Sequence, residues 1–158
     1  MNSGNALGIA LGIGIVAGLR AFTAPAAISW AAHLGWLNLQ GTPLSFMGSS
    51  ITVGIFTILA LVEYVTDQLP STPARTVPMQ LGARILTGGL SGACICAAAA
   101  QPWMVGAIVG VIGALIGTFG GYHLRRALVS GLKVKDVLIA IPEDLVAIGL
   151  AYWLVSPR

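Results

Sequence analysis

The stretch "LVEYVTDQLPSTPAR", Leu61 to Arg75, decides how the rest of the chain is read. It closes a run from Ile51 to Tyr64 that is otherwise apolar or small and that carries a single acid, Glu63, with Asp67 four residues later. Side chains four apart lie on one face of a helix, so both carboxylates look the same way. In a helix surrounded by lipid that face has to turn inward, because an unpaired charge in hydrocarbon costs several kcal/mol. The acids therefore predict a helix with one face in a protein interior and the rest in a bilayer.

The composition agrees. The 158 residues are 56% hydrophobic and only 8% charged, and the mean hydropathy is +0.90, against roughly 25% charged residues in an average soluble domain. No polar block is long enough to form a separate soluble domain, so residues 1–158 read as a single all-α transmembrane domain. Approximately, five apolar stretches run over 5–36, 46–68, 80–100, 102–129 and 134–156, each long enough for about 30 Å of hydrocarbon. The first, "ALGIALGIGIVAGLRAFTAPAA" and onward, lacks a basic leader region and contains Arg20, so it is expected to remain as a span rather than to be a cleaved signal. Pro25 and Pro142 fall inside the first and fifth stretches and predict a break or kink in each.

The net charge of +3 is gathered in short connections. Arg75 and Arg84 sit by the turn after the second stretch, and Arg125, Arg126, Lys133 and Lys135 by the turn after the fourth, while 37–45 and Gln101-Pro102 hold no Lys or Arg. Five crossings with basic loops inside put the N-terminus inside and the C-terminus, with Arg158, outside an inner membrane. Such clustering speaks of topology and gives no support to nucleic-acid binding. "GIVAGLRAF" and "GTFGGYHLR" rhyme, with Gly14 and Gly18 against Gly117 and Gly121, which raises an inverted repeat of stretches one and two against four and five.

Gly8, Gly12, Gly14 and Gly18, and Gly106, Gly110, Gly113, Gly117 and Gly121, form ladders that let helix backbones approach closely, either within the chain or between copies in a homo-oligomer. Cys94 and Cys96 fall on nearly opposite helix faces and read as small core residues; His33 and His123 stand alone. Neither a metal nor a cofactor site is indicated, and no nucleophile elbow, phosphate loop or zincin pattern supports an enzyme. The informative residues are the ionisable ones in or beside the spans: Arg20, Glu63, Asp67, Arg84, Glu143 and Asp144. A structural network pairs Glu63 or Asp67 with Arg84, and Glu143 or Asp144 with Arg20. In the functional alternative a carboxylate lines a wet cavity and binds a proton, a cation or a small solute.

"GLRAFTAPA", "LVEYVTDQLPSTPARTVPMQLGARILTGGLSGA" and "PEDLVAIGLA" together resemble the bacterial membrane family known as domain of unknown function 4126, over nearly the whole chain. The Glu63, Asp67, Pro70 spacing followed by Arg75 and Arg84, then Glu143-Asp144, is the most specific part. The resemblance implies a small multi-span inner-membrane protein and carries no substrate or activity with it. The expected function is movement of a small solute or ion across the membrane, with Glu63, Asp67 and Arg84 as one site and Arg20, Glu143 and Asp144 as a second, deeper one. The competing expectation is a non-transporting scaffold or lipid-interacting protein held together by the same charges.

Overall fold

The computed structural model describes residues 3–67, 76–132 and 136–157; most of the turn "PSTPARTVP", with Pro70 and Arg75, and the positions of Lys133, Lys135 and Arg158 lie outside the described residues. The described residues form six α-helices and one short 3-10 turn, with no strand: α1 Ser3–Leu19, α2 Thr23–His33, the 3-10 turn Ser45–Gly48, α3 Ser50–Thr66, α4 Pro78–Ala98, α5 Trp103–Leu132 and α6 Asp136–Val155. In length and composition α4, α5 and the Leu138–Val155 part of α6 are each able to cross a bilayer, while α1 and α3 are shorter apolar helices.

The first apolar stretch is not one helix. It stops at Leu19, turns through Arg20–Phe22 and restarts at Thr23. The direction after the turn follows from contacts with α6. Gly12 lies against Leu154 and Arg20 against Asp144, whereas Trp36, beyond the end of α2, meets the Tyr152 ring. The chain thus runs along α6 from its C-terminal end toward Asp144 and comes back, which makes α1 and α2 a helical hairpin. The break precedes Pro25 rather than falling on it. Pro25 is the third residue of α2, in a first turn where a missing N–H removes no intrahelical bond. The far end of α2 is closed by Gly35 at φ +77: Gly35 N–H donates to Ala32 O and Trp36 N–H to Ala31 O, the paired bonds of a Schellman ending that only a left-handed residue allows. Leu37, Leu39 and Met47 anchor the following loop in the core, and Ser49 caps α3 by accepting from Thr52 N–H.

This hairpin changes the topology expected from five crossings. Because α2 returns and α6 runs against α1, the start of α1, the loop after α2 and the end of α6 all lie at one end of the bundle, whereas five alternating helices would have put the first helix's start and the last helix's end at opposite ends. The inverted repeat is likewise not what the fold contains. Gly14 faces Gly110 and Gly18 faces Gly117, so α1 and α5 run in the same direction, not in opposite ones. In α6 the helix continues through Pro142 without a break.

The core is built on backbone proximity. Ala6, Ala10, Ile13, Val16 and Ala17 of α1 are all wholly buried, so α1 is the central helix, with α4 and α5 on one side and α2 and α6 on the other. A Cβ on Gly14 or Gly117 of the α1–α5 seam, or on Gly92 or Gly110 of the α4–α5 seam, would collide with backbone of the opposite helix. The ladders are thus used within the chain, where close contact supplies the dispersion and Cα–H contacts that hold helices together without help from the hydrophobic effect. The outer faces are apolar: Ile51, Ile55, Ile58, Val62 and Val65 on α3 and Leu138, Leu145, Val146 and Trp153 on α6 are exposed. Cys94 and Cys96 are free and buried, and Cys96 fills the space over Gly106.

Candidate functional site

The α1–α2 reversal leaves two helix ends facing inward. At the end of α1 the Gly18 carbonyl has lost its helical partner, and it accepts instead from Arg84 Nε (3.1 Å) and Thr118 Oγ1 (3.3 Å). At the start of α2 the cap residue, Phe22, makes no side-chain capping bond. The cap comes from α3: Glu63 accepts from Ala21 N–H (2.7 Å) with Oε1 and from Phe22 N–H (2.9 Å) with Oε2. A cation thus stands at a helix C-terminus and an anion at a helix N-terminus, each where the macrodipole favours it. The two compensating groups also face each other, with Arg84 Nη2 3.8 Å from Glu63 Oε1.

Arg20 sits in the reversal itself and is wholly buried. Its guanidinium pairs through Nη1 with Asp67 and through Nη2 with Asp144, and it lies 5.9 Å from the centroid of the Tyr64 ring. The Tyr64 hydroxyl shares a 2.7 Å hydrogen bond with Thr23 Oγ1, which ties α3 to the first turn of α2. Arg84 Nη1 donates to Gln80 Oε1 at 3.3 Å.

Five of the six expected residues, Arg20, Glu63, Asp67, Arg84 and Asp144, therefore form a single cluster rather than two sites. Asp67 joins Arg20, not Arg84, because Asp67 is the residue that ends α3, level with the tip of the hairpin. Glu143 points elsewhere: it pairs with Arg125 of α5 at 3.4 Å, both side chains being mostly buried. Among the described residues the cluster has three carboxylates and two guanidiniums, a formal charge of −1, and Arg125 with Glu143 forms an ion pair. Among the described residues no group of three His, Cys, Asp or Glu is placed to hold a metal ion.

Sequence reasoning did not find the amides of Ala21 and Phe22, Thr118, Tyr64 or Arg125 as members. Thr118 carried a signal, being a hydroxyl within a run of glycines and apolar residues in α5. The amides carried none, since any residue supplies one.

An all-helical bundle with apolar outer faces, glycine seams and a buried cluster of charges is built as a membrane protein is built. Within that class, the chain belongs to the family described as Domain of unknown function (DUF4126), which matches residues 7–156. No curated protein and no solved structure matches the chain.

Proposed function

We propose that this protein moves a small solute or ion across a bilayer, coupled to protons or cations through the cluster at the α1–α2 reversal. The observation that carries the reading is the imbalance of Glu63, Asp67 and Asp144 against Arg20 and Arg84 at a broken helix. A buried formal charge of −1 is costly unless a proton or cation joins it, and paired helix ends inside a bundle are where transporters hold ions and solutes. The membrane is proposed to be an inner membrane with the end bearing Arg84, Arg125 and Arg126 toward the cytoplasm. With the hairpin, that orientation puts both termini on the outer side. Self-association would use outward glycines such as Gly8 of α1 or Gly120 of α5, which have open space around them, since the inner ladders are occupied.

Proteoliposomes with an entrapped pH indicator test the reading. Wild-type protein should carry a pH-dependent flux that Glu63→Gln abolishes while the variant still folds. No flux from the wild type, together with a loss of stability in the variant, would favour the second reading, a scaffold or lipid-interacting protein without transport. That alternative has its own support: Glu63 and Arg84 each complete a helix end, which is a structural task.

A further inference from the structure

The end of the bundle away from the charge cluster holds a cavity of about 590 Å³, between the last turn of α2, the loop that follows it and the 3-10 turn. Small-molecule sites occupy roughly 300–1,000 Å³. The walls of this one follow from the loop's sequence. In "LNLQ", Leu37 and Leu39 are buried in the core, and the alternation leaves Asn38 and Gln40 exposed and lining the cavity. The loop is tied from within. Asn38 Oδ1 accepts from Gln40 N–H (3.1 Å), Thr42 Oγ1 donates to Leu39 O (2.7 Å), and Gly35 and Gly41 take left-handed turns at φ +77 and +75. A frame fixed in this way presents its polar side chains in one arrangement before any ligand arrives, which lowers the cost of binding.

The hydrogen-bonding groups on these walls are largely unspent. His33 Nδ1 lies 2.9 Å from the Gly48 carbonyl. A carbonyl only accepts, so Nδ1 carries the proton, and Nε2 of the neutral ring is left as a bare acceptor. Among the described residues that Nε2, the Asn38 amide nitrogen, the Gln40 carboxamide and the Ser45 hydroxyl meet no hydrogen-bond partner, and all four residues line the same cavity. Donors and acceptors are both present, and fixed charge is absent. No Asp, Glu, Lys or Arg occurs between Arg20 and Glu63, a stretch that supplies every lining residue. An ion would leave water there with no counter-charge to meet it. A sugar or other polyol is neutral and carries hydroxyls that both donate and accept, which is what the set asks for. Leu34 and Phe46, next in sequence to lining residues, and Ile51, two after Ser49, are exposed apolar side chains. They put the cavity at the edge of the bilayer, within reach of a sugar in water and of the glycosyl headgroup of a lipid. Independently of the transport reading, we infer that this cavity binds a neutral polyhydroxyl group, with His33 Nε2 accepting from one hydroxyl and Asn38, Gln40 and Ser45 holding its neighbours.

The test uses the full chain in phosphatidylcholine nanodiscs, because alkyl glycoside detergents would themselves supply sugar. Glucose and maltose are the soluble probes, read by saturation-transfer NMR. Glucosyl diacylglycerol mixed into the disc is the lipid probe, read as a shift in Tm, and phosphatidylglycerol at the same level is the charged control. Either a soluble sugar should show transfer, or the glycolipid should raise Tm by about 3 °C or more where phosphatidylglycerol does not. Response to a soluble sugar assigns the site to a solute; response to the glycolipid alone assigns it to a headgroup. Gln40→Ala combined with Ser45→Ala removes two side chains whose polar groups hold nothing else, so it should leave Tm in plain phosphatidylcholine unchanged and weaken the response about fivefold or more. A second readout needs no variant. The chain has two histidines, His33 and His123, so nitrogen NMR of the rings at about pH 8 should show His33 as the Nδ1–H tautomer, with its Nε2 resonance moving when the active probe is added. No response to any probe, an equal response in the double variant, an equal rise with phosphatidylglycerol, or a His33 Nε2 that stays put would each overturn the proposal.

Discussion

At the scale of single residues, glycine and arginine carry the fold between them. A Cβ on Gly18 would stand 2.6 Å from Thr118 N and 2.7 Å from Gly117 Cα, both backbone atoms that cannot move aside alone. Gly18→Ala should therefore part α1 from α5 and lower stability by about 1–3 kcal/mol. It should also carry the Gly18 carbonyl away from Arg84. Gly8→Ala, with nothing within 4 Å, is the matched control, and its Tm should stay level or rise, since alanine favours the helix by up to about 1 kcal/mol. Thermal unfolding of the two variants in one detergent checks the pair. Arg84→Ala is expected to be the more damaging change. It removes one of the two donors to the Gly18 carbonyl and leaves Glu63, 7% exposed, without its facing cation, a loss of about 3–5 kcal/mol. Much of this was legible in the residues. Glu63 and Asp67, four apart, gave away an inward face, and the comparable number of acids and arginines gave away a network. The pairing within it was not legible, because whether Arg20 reaches Asp67 or Asp144 depends on where the first helix stops.

At the scale of elements, the hairpin is the feature the sequence concealed. Residues 5–36 are mostly apolar, and periodicity does not distinguish one bent helix from two antiparallel ones. Length was the available signal: 32 residues of continuous helix would reach about 48 Å, far beyond the hydrocarbon thickness. Proline drew the break toward Pro25, yet the chain turns where Arg20 meets its acids and Glu63 can receive the amides of Ala21 and Phe22. The stop at the other end of α2 follows from Gly35 alone. Pro142 is the converse case. α6 passes through it, so the carbonyl of Leu138 loses its helical donor and the ring crowds the preceding turn. Pro142→Ala should raise stability by up to about 3 kcal/mol, the cost of a proline inside a helix. A fall in Tm instead would mean that the opened carbonyl or the bend serves a contact at Glu143 or Asp144, and a flux assay on the same variant would show whether that contact is used.

At the scale of the whole molecule, the separation of charge along the bundle is what the proposed orientation rests on, and the hairpin sets which ends go together. The described arginines near or beyond the cluster, Arg84, Arg125 and Arg126, lie toward the end where α5 meets α6, and the start of α1, the loop after α2 and the end of α6 lie toward the other. A single first span would place Asn5 and Asn38 on opposite sides of the membrane; a hairpin places them on the same side. Both are exposed, and the native Cys94 and Cys96 are buried, so single cysteines introduced at positions 5, 38 and 133 can be labelled in intact cells by an impermeant thiol reagent. Positions 5 and 38 should label and position 133 should not, because basic loops are retained on the cytoplasmic side. Labelling at 38 without 5 would restore the single first span and dissolve the reversal at which Glu63, Arg84 and Arg20 meet. Labelling at 133 alone would invert the proposed orientation while leaving the hairpin intact, and would turn the end of the bundle that carries the cluster toward the outer side.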